Sequence, residues 1–354
     1  MTQQLDKKTS NTSLCTLSAI TWGLLNSPDE LEQICDMTVR MLDALIDTNV
    51  YLNKLSETET KASRYLGIGV TDFAHFLAKH HLKYQDPEAL SLVHEYAEAQ
   101  CFYLLKASMN LAKERGACEN FYRTKYSLGL LPIDHYNKNV DTLVPHVLKL
   151  DWEQLRQDIL QYGLRNSSVV AIMPCQSSSV VSNSTGGIEP PRAYLSKVKS
   201  KSGLSAQIVP EYSTLKDYYS LAYDKDFTPN YLKITAILQK FTDQGISVNT
   251  YYSPSHYGDN KVPQSVVVQD ILTHFKFGGK TMYYSNTDDG RDANETPVMV
   301  VNDVVPVIDF FDGSSGSIDG ATETYVDADG VLREVGCGCP VDPVEREDCD
   351  ACNV

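Results

Sequence analysis

Four groups of residues have types and spacings that suit chemistry. The last six residues, CDACNV, set Cys349 and Cys352 in a Cys-x-x-Cys pair. Such a pair cycles between dithiol and disulfide when one thiol ionises readily. Cys337 and Cys339 stand just upstream, so the four thiols suit a zinc site as well. Cys15 lies in the apolar segment SLCTLSAI, where the ordinary fate of a free cysteine is that of a small buried hydrophobe. In MPCQSSSVVSNSTGGIEPP, Met173 to Pro191, hydroxyls and backbone amides cluster after an apolar run. That arrangement suits a phosphate held at a helix start. By itself the pattern is more simply an ordinary helix start with Ser as N-cap. Tyr283 and Tyr284 adjoin in KTMYYSN, and tyrosines are common in strands.

These residues need elements to hold them. Strands are predicted at Leu14–Ile20, Tyr65–Val70, Ser167–Pro174, Ile246–Tyr252 and Lys280–Asn286. Helical periodicity covers Pro28–Asp47, Thr71–His80, Asp86–Arg115, Asp151–Tyr162, Asn230–Gln244 and Pro263–Phe277. Pro87 starts the longest of these helices and Gly116 ends it. Tyr194–Pro210 suits a hairpin turning near Lys201–Gly203. Strands alternating with helices predict an α/β fold with mostly parallel strands. Beyond Asn286, Asp327-Ala328-Asp329-Gly330 between TETYV and VLREV reads as a hairpin turn.

Composition limits the class. The 354 residues are 42% hydrophobic and 22% charged, which excludes wholesale disorder, collagen and coiled coil. No apolar run approaches the ~18 residues a spanning helix needs, so no membrane role is expected. MTQQLDKKTSNTS lacks the apolar stretch of a secretion signal, which points to the cytoplasm and to reduced thiols. The net charge of -15 sits almost wholly at one end. From Asn286 onward there are seventeen Asp and Glu against three Arg; residues 1–285 hold 29 acids and 28 bases. A balanced body with an acidic tail argues against nucleic-acid binding. Residues 1–12 read as a flexible leader, and 291–354 as an acidic tail, partly β or disordered.

SLCTLSAI, YLGIGVTDFAHFLAKH, LLKASMNLAKERGAC, LPIDHY, GLRNSSVVAIMP, SNSTGGIEPPR, QKFTDQGISVNTYY and FKFGGKTMYYSNT occur in this order. In these segments the chain resembles the C-terminal half of the large, catalytic subunit of class I ribonucleotide reductase, over about residues 13–290 and the final cysteine pair. The resemblance implies the second half of a ten-stranded α/β barrel, five strands, with a small inserted αβ region near 192–230. It implies reduction of ribonucleoside diphosphates to 2'-deoxyribonucleoside diphosphates. A small subunit supplies the radical and its metal centre, so this chain is expected to bind no cofactor of its own. A thiyl radical on the large subunit then abstracts the ribose 3'-hydrogen, and two further cysteines deliver the electrons. Cys15 matches one of that reducing pair, and Tyr283 and Tyr284 match the stacked tyrosines that pass the radical inward. Cys349 and Cys352 match the mobile pair that re-reduces the disulfide and is itself reduced by thioredoxin or glutaredoxin. Gln176, Ser177 and Ser178 match the loop that binds the substrate diphosphate. The helix before the Tyr-Tyr strand lines the family's groove for the small subunit's C-terminal peptide. Here Val267, Ile271, His274 and Phe275 recur at three- and four-residue spacing, a stripe that suits docking or core.

The sequence also departs from the family. The Asn-x-Cys-x-Glu loop bearing the radical cysteine occurs nowhere in it. The second reducing cysteine, the allosteric nucleotide sites and the first half of the barrel are missing too. The expectation is therefore a large subunit encoded in two pieces, this one needing a separate N-terminal half. The rival is a non-catalytic remnant that binds the small subunit or regulates an intact reductase. In the phosphate loop, Cys175-Gln176-Ser177-Ser178-Ser179 replaces the usual Ser-Glu-Thr-Ser-Ser, so a carboxylate is lost while hydroxyls and amides survive. Cys337 and Cys339 are extra, as redox helpers or zinc ligands.

Overall fold

A parallel pair of strands carries the centre of the molecule, and helices cover it. The computed structural model describes residues 2–4, 12–200, 203–288, 324–326 and 332–334. Strand β1 (Thr2–Gln4) pairs antiparallel with β2 (Thr12–Leu14), so the expected flexible leader contributes a paired strand. Then follow β3 (Thr16–Thr21), α1 (Leu31–Thr48), α2 (Lys54–Ser63), β4 (Leu66–Thr71) and α3 (Phe73–Lys79). Next come α4 (Pro87–Arg115), α5 (Trp152–Tyr162) and α6 (Gln176–Val181). The hairpin β5 (Leu195–Ser200) and β6 (Gly203–Ile208) comes next, followed by α7 (Tyr212–Leu215). The body closes with α8 (Phe227–Lys240), β7 (Ser247–Tyr252), α9 (Gln264–Lys276) and β8 (Thr281–Thr287). The chain divides into two compact units, Met1–Thr296 and Pro297–Val354. In the second, β9 (Thr324–Val326) pairs antiparallel with β10 (Leu332–Glu334), flanking the predicted turn.

β3 lies parallel to β4, from Thr16 opposite Leu66 to Thr21 opposite Thr71, and β7 lies parallel to β8 across α9. β4 is buried at every position, as a parallel strand covered on both faces must be. The middle of α4 is buried nearly all round, from Val93 to Ala112, so it is a core helix rather than a surface one.

Two expectations change. The strand expected at Ser167–Pro174 is reduced to one parallel bridge, Val170 beside Ile68. The Asp243 carboxylate takes the Val169 and Val170 N–H groups at 2.7 and 2.9 Å, and a side chain stands where a ladder would form. The two parallel pairs consequently do not merge, and among the described residues no barrel closes. Helix α2 lacks a periodic sequence signal of its own. Its sequence, KLSETETKAS, has no apolar stripe; Asn53 caps it by accepting the Ser56 N–H at 2.8 Å. It ends at Arg64, held in the left-handed region (φ 51°) by buried Asp43 at 2.6 Å and by Asp47 at 2.8 Å.

Candidate active site

Glycines on β4 decide how the site is laid out. Gly67, Gly69 and Thr71 alternate onto one face of the strand. A Cβ at Gly67 would lie 3.0 Å from the Cys15 sulfur, and one at Gly69 would lie 2.6 Å from the Ala171 carbonyl oxygen and 2.9 Å from the Met173 sulfur. Bare backbone there lets Cys15 and the 168–173 segment close onto β4. Cys15 is partly buried at the head of β3; burial pushes its thiol pKa up, so it rests as SH. At the other end of the same face stands the Ser-rich segment. The Cys175 thiol reaches the Val70 carbonyl at 3.9 Å, and Thr71 anchors the following loop. The two ends are roughly 16 Å apart, the length of six extended residues.

The Ser-rich segment forms α6 itself rather than a loop ahead of a helix. Cys175 is its N-cap and makes no side-chain cap bond, so the Ser-capped alternative does not hold. The first amide to find a helical acceptor is Ser179 N–H, on the Cys175 carbonyl at 2.9 Å. Gln176, Ser177 and Ser178 are exposed, and the amides ahead of that bond lack a helical acceptor. Ser179 differs: it is buried, and its hydroxyl donates to the Gln176 carbonyl at 2.8 Å. Three of the four expected phosphate contacts are therefore open, and Ser179 is turned into the helix.

Asp72, which sequence reasoning passed over, fixes this end of the site. Its backbone is left-handed (φ 63°), and its carboxylate accepts the Thr185 N–H at 2.7 Å. Its own N–H donates to the Thr185 carbonyl at 2.9 Å, so the loop after α6 is pinned to the end of β4. The same carboxylate takes His75 Nδ1 at 2.8 Å, and Glu211, the N-cap of α7, takes Nε2 at 3.1 Å. The sequence signal was a polar residue between a strand and a helix, Asp72 before Phe73.

Tyr283 and Tyr284 lie on β8 with ring centroids 4.1 Å apart and planes at 52°. Both are mostly exposed, at 64% and 59%. The Tyr284 phenol beside it pushes the Tyr283 phenol up. On α9, Ile271 and Phe275 are exposed, together with Val268 and Leu272. His274 is not part of that surface. It is buried against Gly279, where any Cβ would collide with its ring, so the predicted stripe splits into an outer and an inner side. The structure thus sets Cys15 and the Ser-rich helix along one strand face and brings the two tyrosines into contact. Cys337, Cys339, Cys349 and Cys352 lie outside the described residues. Among the described residues no cluster suited to a metal ion occurs, and no helix is long and apolar enough to cross a membrane.

Residues 2–285 match the family described as ribonucleotide reductase, barrel domain. The chain is 48% identical over 290 residues to the ribonucleoside-diphosphate reductase subunit alpha of Haemophilus influenzae, covering 82% of this chain and 38% of that protein. It is 49% identical over 241 residues to the ribonucleoside-diphosphate reductase 1 subunit alpha of Escherichia coli, covering 68% of this chain and 32% of that one. With the subunit alpha of Enterobacteria phage T4 the identity is 39% over 298 residues, covering 83% and 39%. The chain therefore spans under two-fifths of the length of these relatives.

Proposed function

Because the chain belongs to the ribonucleotide reductase barrel-domain family, as the C-terminal part of a large subunit, we propose that it supplies half of a composite active site. With a separate N-terminal half and a radical-generating small subunit, it reduces ribonucleoside diphosphates to 2'-deoxyribonucleoside diphosphates. The radical cysteine comes from the N-terminal half, since no Asn-x-Cys-x-Glu loop occurs in these 354 residues. Tyr283 and Tyr284 carry the radical inward. Cys15, a resting thiol, is one of the two reducing cysteines. The α6 amides with Gln176, Ser177 and Ser178 hold the diphosphate. Cys349 and Cys352 then re-reduce the internal disulfide and pass the oxidation to thioredoxin or glutaredoxin.

The observation that carries this reading is the tyrosine pair. Two phenols in contact permit stepwise transfer of an electron and a proton, yet both rings are left exposed on β8, which pairs only with β7 among the described residues. Large rings kept outside the core suit a face that a second polypeptide covers. The deciding experiment mixes this chain with a polypeptide bearing the N-terminal half and with the small subunit, then assays diphosphate reduction. Turnover by the three together, and by no two of them, is the expected result. No turnover from the three, with each folded and bound, would favour the non-catalytic remnant.

A further inference from the structure

Neighbouring residues of a regular strand point to opposite faces, so a Tyr-Tyr sequence by itself keeps two rings apart. In β8 they meet because the strand holds one residue too many. Val248 pairs with Met282 and Thr250 with Ser285, which leaves Asn249 alone opposite both Tyr283 and Tyr284. Val248 and Thr250 share a face, so Met282 and Ser285 share it, and the two tyrosines fall together on the other.

A bulge leaves ladder groups without their usual partners. Here the Tyr284 N–H donates to Asn249 Oδ1 at 3.0 Å, a side-chain oxygen replacing a backbone carbonyl. The Asn249 side-chain amide donates in turn to Glu189 Oε1. Glu189 precedes Pro190 and Pro191, whose rings restrict the backbone that carries the carboxylate. Beyond the bulge, Asn286 Nδ2 donates to the Thr250 carbonyl at 3.2 Å, and the ladder resumes.

We propose that Asn249 is the positioning residue of the tyrosine pair: braced by Glu189, its side chain holds the β8 bulge that puts both phenols on one face. On the radical-transfer reading above, on which this functional consequence rests, the bulge sets the contact across which the radical moves. In that step one phenol gives up an electron and a proton while the neighbouring phenoxyl radical takes up one of each. The first oxidant is the small subunit's radical.

The test is made on the full chain with 3-fluorotyrosine at position 283, whose fluorine signal reports both ring contact and phenol ionisation. Asn249→Ala should move that signal and lower the phenol's titration midpoint toward that of an ordinary tyrosine, with an unchanged melting temperature. Asn249→Asp combined with Glu189→Gln exchanges donor and acceptor within the same bond and should restore both readouts. In the assembled enzyme, Asn249→Ala should cut turnover about tenfold or more, as misplaced reacting groups do. An unchanged fluorine signal and titration in Asn249→Ala would overturn the proposal, even where Tyr283→Phe abolishes turnover. A displaced pair with full turnover would leave the positioning role standing and sink the radical reading instead. Asn249→Ser, too short to span Glu189 and the Tyr284 amide, provides the same readout if the alanine variant fails to fold.

Discussion

The phenol pair and the tail thiol pair separate by the reductant that supports activity without them. Tyr283→Phe or Tyr284→Phe keeps nearly all the ring packing. Both rings are exposed, so loss of the hydroxyl should cost no more than about 1 kcal/mol of stability. Turnover of the assembled enzyme should vanish with every reductant, because phenylalanine has no phenol to oxidise. Cys349→Ser with Cys352→Ser should instead keep activity with dithiothreitol and lose it with thioredoxin or glutaredoxin. Full thioredoxin-dependent activity in that double variant would pass the shuttle role to Cys337 and Cys339. His94 offers a test of stability. It is 5% exposed and accepts from Lys240 Nζ at 3.0 Å, and burial, then the Lys240 charge, pushes its pKa down to about 4. The unfolded chain, with a histidine near pH 6.5, takes up that proton first. Stability from this site is complete above pH 6.5 and declines as pH falls toward 4, by about 3 kcal/mol. His94→Gln keeps an acceptor for Lys240 and should flatten this part of the pH profile in urea unfolding. An unchanged slope between pH 6.5 and 4 would assign the loss to other groups.

Among the elements, α9 faces two ways. Asp270 and His274 are buried, with the Tyr252 hydroxyl on Asp270 at 3.1 Å, while Val268, Ile271, Leu272 and Phe275 are exposed. The inner side fixes the helix against β7, and the outer side is free to bind without disturbing the core. Ile271→Asp should therefore leave the melting temperature within a degree or two of wild type. Binding of a peptide from the small subunit's C-terminus should weaken at least tenfold, a cost of about 1.4 kcal/mol for an interface side chain. Titration calorimetry with that peptide reads the change directly, and equal affinity in the variant would remove α9 from the docking surface. α4 shows the contrast. It is buried nearly all round, so charge placed near Leu104 or Leu105 should unfold the protein.

For the molecule as a whole, the exposed strand edges matter most. β3 pairs only with β4 among the described residues, and β8 only with β7. Unpaired parallel edges of this kind invite further strands. Alone at micromolar concentration, the chain should run in gel filtration above its 39.4 kDa mass, as a self-associated species. Addition of the N-terminal half should convert it to a discrete one-to-one complex. A monomer that ignores the other half would contradict the composite-barrel proposal.

Much of the fold was legible because its signals are local. The strand–helix alternation, Pro87 and Gly116 at the ends of α4, and the pairing of β5 with β6 all follow from periodicity and backbone chemistry over a few residues. The ordered segments also gave the family, confirmed by a match over residues 2–285. What the sequence left open depends on contacts between distant segments. Asp243 replaces a ladder more than seventy residues away, and Asp72 pins a loop beyond position 180. The Tyr-Tyr pair is plain in the sequence, yet its ring contact exists only because Asn249, thirty-five positions earlier, faces two residues rather than one. Residue types and their spacing determined which chemistry was available; pairing register, set by side chains far apart in the chain, decided which groups meet.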